Sequence, residues 1–136
     1  MTVRPLLHAI IVFAAVASAG MRPSEAADQP QHMKAMCEKG TTTACNSLGL
    51  LYLKSEGVKQ DDARAAALFK KACDGGDVGG CSNLGVMYAE GIGVLQDDAQ
   101  AAAFSRLGCD GGSMKGCSNL GVMYAEGTGA PQDDVQ

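Results

Sequence analysis

An all-α array of antiparallel helix pairs, an αα-hairpin repeat solenoid, is the fold class this sequence predicts. Three observations carry that reading. Six cysteines fall into three pairs eight residues apart, Cys37 with Cys45, Cys73 with Cys81 and Cys109 with Cys117, and the pairs recur every 36 residues. A period in the 30s is that of stacked helical hairpins, none of which can bury its apolar side alone. Cys73–Gln100 and Cys109–Gln136 are also identical at 21 of 28 positions. Within a unit, Cys81, Leu84, Gly85 and Tyr88 fall at i, i+3, i+4 and i+7, one face of a helix.

Taken from the N-terminus, residues 1–19 read as a secretory leader. Arg4 supplies the charge, Leu6–Val16 the apolar run, and Ala17-Ser18-Ala19 a cleavage site before Gly20; Ser24-Glu25-Ala26 is a second such site. A mitochondrial presequence is the rival reading and rests on Arg4 and Arg22 alone. The apolar run is too short to span a bilayer, and no cysteine follows closely enough to carry a lipid. The expected location is secreted or periplasmic. Residues 20–36 are expected to be a flexible leader, to about Gln31, and then a partial capping helix from His32 that stands in for the second helix of a preceding unit.

The array itself is expected over residues 37–136, with units at 37–72, 73–108 and 109–136. The first helix of each unit carries a glycine on its apolar face (Gly49, Gly85, Gly121), where a neighbouring helix can approach closely. Gly91–Gln96 turns the chain, and Asp97 or Asp98 caps the second helix. That helix carries Ala101, Ala102, Ala103 and Phe104, and Asp110-Gly111-Gly112 ends it with residues able to take positive φ. Unit one repeats the second helix at Asp61–Ala72. The third unit is incomplete and stops four residues into its second helix, as in a truncated array, so Leu120 and Tyr124 are expected to lack a following partner.

Each first cysteine closes a second helix, and its partner lies one turn inside the next helix. A disulfide there staples consecutive helices and contributes roughly 2–3 kcal/mol through the short loop it closes. Zinc would need C-x2-C spacing and more imidazole than His32, the one histidine beyond the leader. Disulfides in every unit belong to an oxidising compartment.

Chemistry is sparse. A net charge of −4, no basic stripe and three phenylalanines with no tryptophan argue against nucleic-acid binding. There is no S-x-x-K with its companion motifs; Ser113-Met114-Lys115 has the wrong spacing. No phosphate-binding glycine loop, free thiol or histidine cluster is found, so no catalytic residue, metal ligand or cofactor is predicted. The paired acids Asp61-Asp62, Asp97-Asp98 and Asp133-Asp134 recur as helix caps, and Met87-Tyr88 and Met123-Tyr124 as hairpin core. The expected binding surface is the groove lined by first helices. Ser82, Asn83, Val86 and Glu90 flank the buried face there, and Ser118, Asn119, Val122 and Glu126 repeat them. An asparagine amide, donor and acceptor together, suits an extended peptide backbone.

The run A-C-D-G-G-x4-C-x-N-L-G-x-x-Y followed by G-x-G-x-x-Q-D, from Ala72 to Asp97, resembles the Sel-one-like repeat (SLR), a relative of the tetratricopeptide hairpin. Cysteines in both halves of the unit resemble its secreted, cysteine-rich bacterial branch, the Hcp family. The resemblance runs from about Cys37 to the C-terminus. It implies a right-handed superhelix, a disulfide in each repeat, and a scaffold or adaptor role through a concave groove. Some members bind penicillin and hydrolyse β-lactams slowly. The expected function is therefore capture of a peptide or protein partner, with weak β-lactam binding or hydrolysis as the alternative; no residue here maps to the latter. Members generally carry more repeats and a terminal helix over the last hairpin.

Overall fold

The computed structural model describes residues 23–129, in which six helices follow one another: α1 Pro23–Glu38, α2 Thr42–Lys54, α3 Asp62–Asp74, α4 Val78–Glu90, α5 Asp98–Asp110 and α6 Met114–Glu126. No strand occurs among the described residues. Each helix packs on the next in sequence, and the first helices of successive units also touch, α2 with α4 and α4 with α6. No comparable packing joins α1, α3 and α5. The first helices therefore lie on the inner side of the curve and the second helices on the outer side, the arrangement of a helical repeat solenoid.

Local chemistry sets the boundaries. Asp61, Asp77, Asp97 and Ser113 accept a hydrogen bond from the backbone N–H three residues on, at 3.0, 3.0, 3.1 and 3.2 Å respectively, and so start α3, α4, α5 and α6. Of the adjacent pair, Asp97 is the cap and Asp98 opens the helix. The tight turns between units need positive φ at Gly76 (94°) and Gly112 (99°), which few residues but glycine adopt without strain. The three disulfides form as paired in the sequence: Cys37–Cys45, Cys73–Cys81 and Cys109–Cys117, with Cα atoms 4.7, 4.5 and 4.3 Å apart. Each clamps the end of one helix to the first turns of the next.

The core between units one and two is built from Ala65, Ala66, Phe69, Leu84 and Met87. Alanines bring the backbones close, and the Phe69 ring lies over the glycine of α2: a Cβ at Gly49 would come within 2.7 Å of it.

One boundary differs from expectation. α1 is already helical at Pro23, the first described residue, ahead of the His32 expected from sequence. Pro30 lies inside the helix. The leader at residues 1–19 and the acids Asp133-Asp134 lie outside the described residues.

Candidate functional site

On the inner side, α4, α5 and α6 enclose a cavity of about 300 Å³. α4 contributes Gly85, Val86, Ala89 and Glu90; α6 contributes Asn119, Val122, Met123 and Glu126; Asp98 and Ser105 of α5 and Thr128 complete it. The cavity has an identifiable cause. Ser105 stands 36 residues after Phe69, so unit two has a hydroxymethyl group where unit one has an aromatic ring. Ser105 is fully buried, and its hydroxyl has no hydrogen-bond partner. The Nδ2 atom of Asn119 is likewise buried and unpartnered. Leaving such a group unpaired costs about 1–3 kcal/mol, and these two line one cavity.

The rim is acidic. Glu90, Asp98 and Glu126 all line the cavity, and among the described residues no lysine or arginine does. Asp98 accepts a short hydrogen bond from the Gln96 amide, a neutral partner. The ion pairs among the described residues, Arg64 with Asp61 and Lys70 with Asp74, lie elsewhere.

Of the eight groove residues expected from sequence, five meet at this cavity: Val86, Glu90, Asn119, Val122 and Glu126. The other three have different positions. Ser82 is a correction, being fully buried. Its hydroxyl donates to the Val78 carbonyl at 2.9 Å and pairs with Ser113 at 2.8 Å, because α4 and α5 meet closely there. A Cβ at Gly108 would lie 2.2 Å from the Ser82 hydroxyl, so this serine belongs to the helix contact and presents nothing to a groove. Asn83 is engaged at both ends, its nitrogen donating to Asn46 at 2.9 Å and its oxygen accepting from Lys115 at 2.6 Å. It bridges α2, α4 and α6 as a spacer between first helices. Ser118 is exposed and lines no cavity described here.

Ser105 and Asp98 were not among the expected site residues. Asp98 reads as a cap from sequence, and nothing about a helical serine is unusual by itself. The signal for Ser105 is the difference from Phe69 when the units are aligned.

A second cavity, of about 380 Å³, opens on the outer side between α1, α2 and α3 and was not expected at all. Lys34, Arg64 and Lys71 line it beside Glu38, Tyr52 and an apolar floor that includes Leu48 and Leu68. Arg64 donates to the Tyr52 hydroxyl at 3.2 Å, and its guanidinium carbon lies 5.3 Å from the ring centroid. The Tyr52 hydrogen bond, followed by the charges of Tyr52 and Asp61, holds the Arg64 pKa above its ordinary value. In unit two Phe104 takes the place of Leu68 and stacks on Tyr88, with centroids 5.6 Å apart.

Comparison with known proteins agrees with this architecture. The Sel1 repeat matches at residues 42–77, 79–113 and 115–136. Among solved structures, c5321, a protective antigen present in uropathogenic Escherichia coli strains and displaying an SLR fold, is similar at 40% identity with a TM-score of 0.70. That match covers 73% of this chain but 21% of c5321, so the chain spans about a fifth of that protein's length. Helicobacter pylori cysteine rich protein B is 28% identical with a TM-score of 0.66, over 78% of this chain and 77% of that one. A Sel1 repeat protein from Oxalobacter formigenes is 26% identical with a TM-score of 0.65, over 75% of this chain and 44% of that one. No curated protein matches the sequence. With three consecutive matches over helix pairs of the same period, the chain belongs to the Sel1 repeat family.

Proposed function

We propose that this chain is a binding scaffold that holds an extended peptide segment of a partner protein across α4 and α6, over the inner cavity. One observation carries the reading: the unpartnered Asn119 amide and Ser105 hydroxyl share a cavity that opens among the side chains of two adjacent first helices. A peptide carbonyl would satisfy the Asn119 donor, and Val86 and Val122 provide apolar contact beside it. The helical scaffold of Sel1 repeats fits a protein-interaction role.

The three disulfides support placing the protein in an oxidising compartment, secreted or periplasmic, with residues 1–19 as its leader. Among the described residues no helix is long and apolar enough to cross a membrane. The β-lactam alternative has no observation in its favour. Two hydroxyls line the inner cavity: that of Ser105 has no hydrogen-bond partner and that of Thr128 donates to the Met123 carbonyl, so neither has a base in position to activate it.

The test is to select peptides from a displayed library on the oxidised protein and measure their affinity for variants. Val122→Arg and Asn119→Ala should each weaken selected peptides by about tenfold or more, whereas Lys71→Leu on the outer side should leave them unchanged. Equal affinity for all four proteins would remove the groove from consideration.

A further inference from the structure

Resting on that groove reading, we infer that the inner cavity is selective for a positively charged side chain, a lysine or arginine of the bound segment. The cavity supplies the acceptors such a group requires. An ammonium carries three N–H donors and no acceptor, and it would enter a space bounded by the Glu90, Asp98 and Glu126 carboxylates and by the buried, unpartnered hydroxyl of Ser105. Among the described residues no cation lines this space to pair with its acids. Val86 and Val122 offer apolar walls to the methylene stem of a long basic side chain. The Asn119 nitrogen, a donor, is left for the backbone carbonyl of the same segment. An acidic side chain would instead meet three like charges in a partly enclosed space, where repulsion discriminates strongly.

The feature is particular to this join. The position of Glu90 in unit two is held by Lys54 in unit one, and that of Ser105 by Phe69. The corresponding place at the preceding join keeps Asp62 and Glu90 for Asp98 and Glu126, but has a lysine for the third acid and an aromatic ring in place of the serine. The acids around the cavity also come from three separate helices, α4, α5 and α6, and converge only through the fold.

The experiment uses two acetylated and amidated peptides of one apolar sequence, differing only in a central lysine or Nε-acetyl-lysine. Each is titrated into the isotopically labelled, oxidised chain while the amide resonances of Val86, Asn119 and Val122 are followed. The lysine peptide should shift these resonances and bind about tenfold or more tightly than its acetylated twin, with the gap narrowing as salt is added. In the Glu90→Gln, Glu126→Gln double variant, with its three disulfides verified by intact mass, the gap should close. Equal binding of both peptides to this face overturns the charge preference and leaves the groove reading standing. Shifts from neither peptide overturn both. A lysine preference that survives the double variant overturns the assignment to these carboxylates.

Discussion

In unit one the middle of the second helix reads Leu68-Phe69; in unit two the same two positions read Phe104-Ser105. A step of one residue turns a side chain by about 100° around the helix axis. Phe69 points inward and is fully buried against Gly49, and Leu68 leaves the outer cleft open beside Lys34, Arg64 and Lys71. Phe104 stacks on Tyr88, while Ser105 lines the inner cavity with Glu90, Asp98 and Glu126. One aromatic ring is thus displaced by one residue, and the charges of the two cavities follow from further exchanges: Arg64 and Lys71 give way to Gln100 and Leu107, and Lys54 to Glu90. The two helices have the same length and the same caps; a repeat protein can place its binding sites by exchanging side chains on a fixed framework.

The strongest way to break this comparison is to make unit one resemble unit two on the inside. Phe69→Ser removes a fully buried ring and leaves an unpaired hydroxyl, and should cost about 3–5 kcal/mol. Urea unfolding of the oxidised protein measures it. A loss below about 1 kcal/mol would mean that the surroundings collapse into the space, and that position 69 does not hold the two units together.

The staples come next. Replacing Cys73 and Cys81 together by alanine should cost roughly 2–3 kcal/mol, and the same change at Cys109 and Cys117 a similar amount if loop closure is the cause, since both loops have the same length. The two bonds differ in access. Cys73 and Cys81 are buried, whereas Cys117 is exposed. A limiting amount of reductant followed by alkylation and mass mapping should therefore label Cys109 and Cys117 first. Labelling of Cys73 and Cys81 ahead of them would show that the two joins open in the reverse order to their burial.

Much of this architecture was legible in the sequence because it repeats. The cysteine spacing, the capping aspartates and the Asp-Gly-Gly turns recur at fixed offsets, and each has a local cause that needs no tertiary knowledge. The site was legible only where it follows the repeat: Val86 and Val122, or Glu90 and Glu126, are the same face seen twice. Ser82 and Asn83 follow the repeat equally well yet belong to helix contacts, because a helical wheel does not say how closely the neighbouring helix approaches. The small residues opposite, Gly108 and Gly116, let α5 and α6 close over Ser82. Ser105 was missed for the opposite reason, since it matters where the repeat is broken. The part of α1 ahead of His32 lies in a stretch with no earlier unit to compare it with.

Filling the inner cavity reverses the first experiment. Ser105→Phe copies unit one into unit two; a Cβ at Gly85 would lie 2.5 Å from the Ser105 hydroxyl, so the new ring has to turn away from Gly85 and into the cavity. It should raise stability by about 0.5–2 kcal/mol, as cavity-filling changes commonly do. It should also abolish binding of any peptide held over Asn119 and Val122. Stability and binding moving in opposite directions is the signature of a site made from missing bulk. A variant that is stabilised and still binds would place the peptide away from the cavity.

The smallest effect lies at the end of the first helix. Gly91 and Gly127 close α4 and α6 with φ of 69°, but the corresponding residue of unit one is Ser55, at φ 59°. A side chain in this left-handed conformation costs about 1–2 kcal/mol, and Ser55→Gly relieves it. Glycine returns about 0.4–1 kcal/mol of that gain through its greater freedom in the unfolded chain. The Ser55 hydroxyl also donates to the Val58 carbonyl at 3.2 Å, an exposed contact that the change removes. The balance should favour the glycine variant by about 0.5 kcal/mol, readable as a small rise in melting temperature. If the melting temperature falls instead, the bond to Val58 more than offsets the backbone strain, and the serine is unit one's own way of ending the helix. Unit one would then differ from unit two in its turn as well as in the placement of its ring.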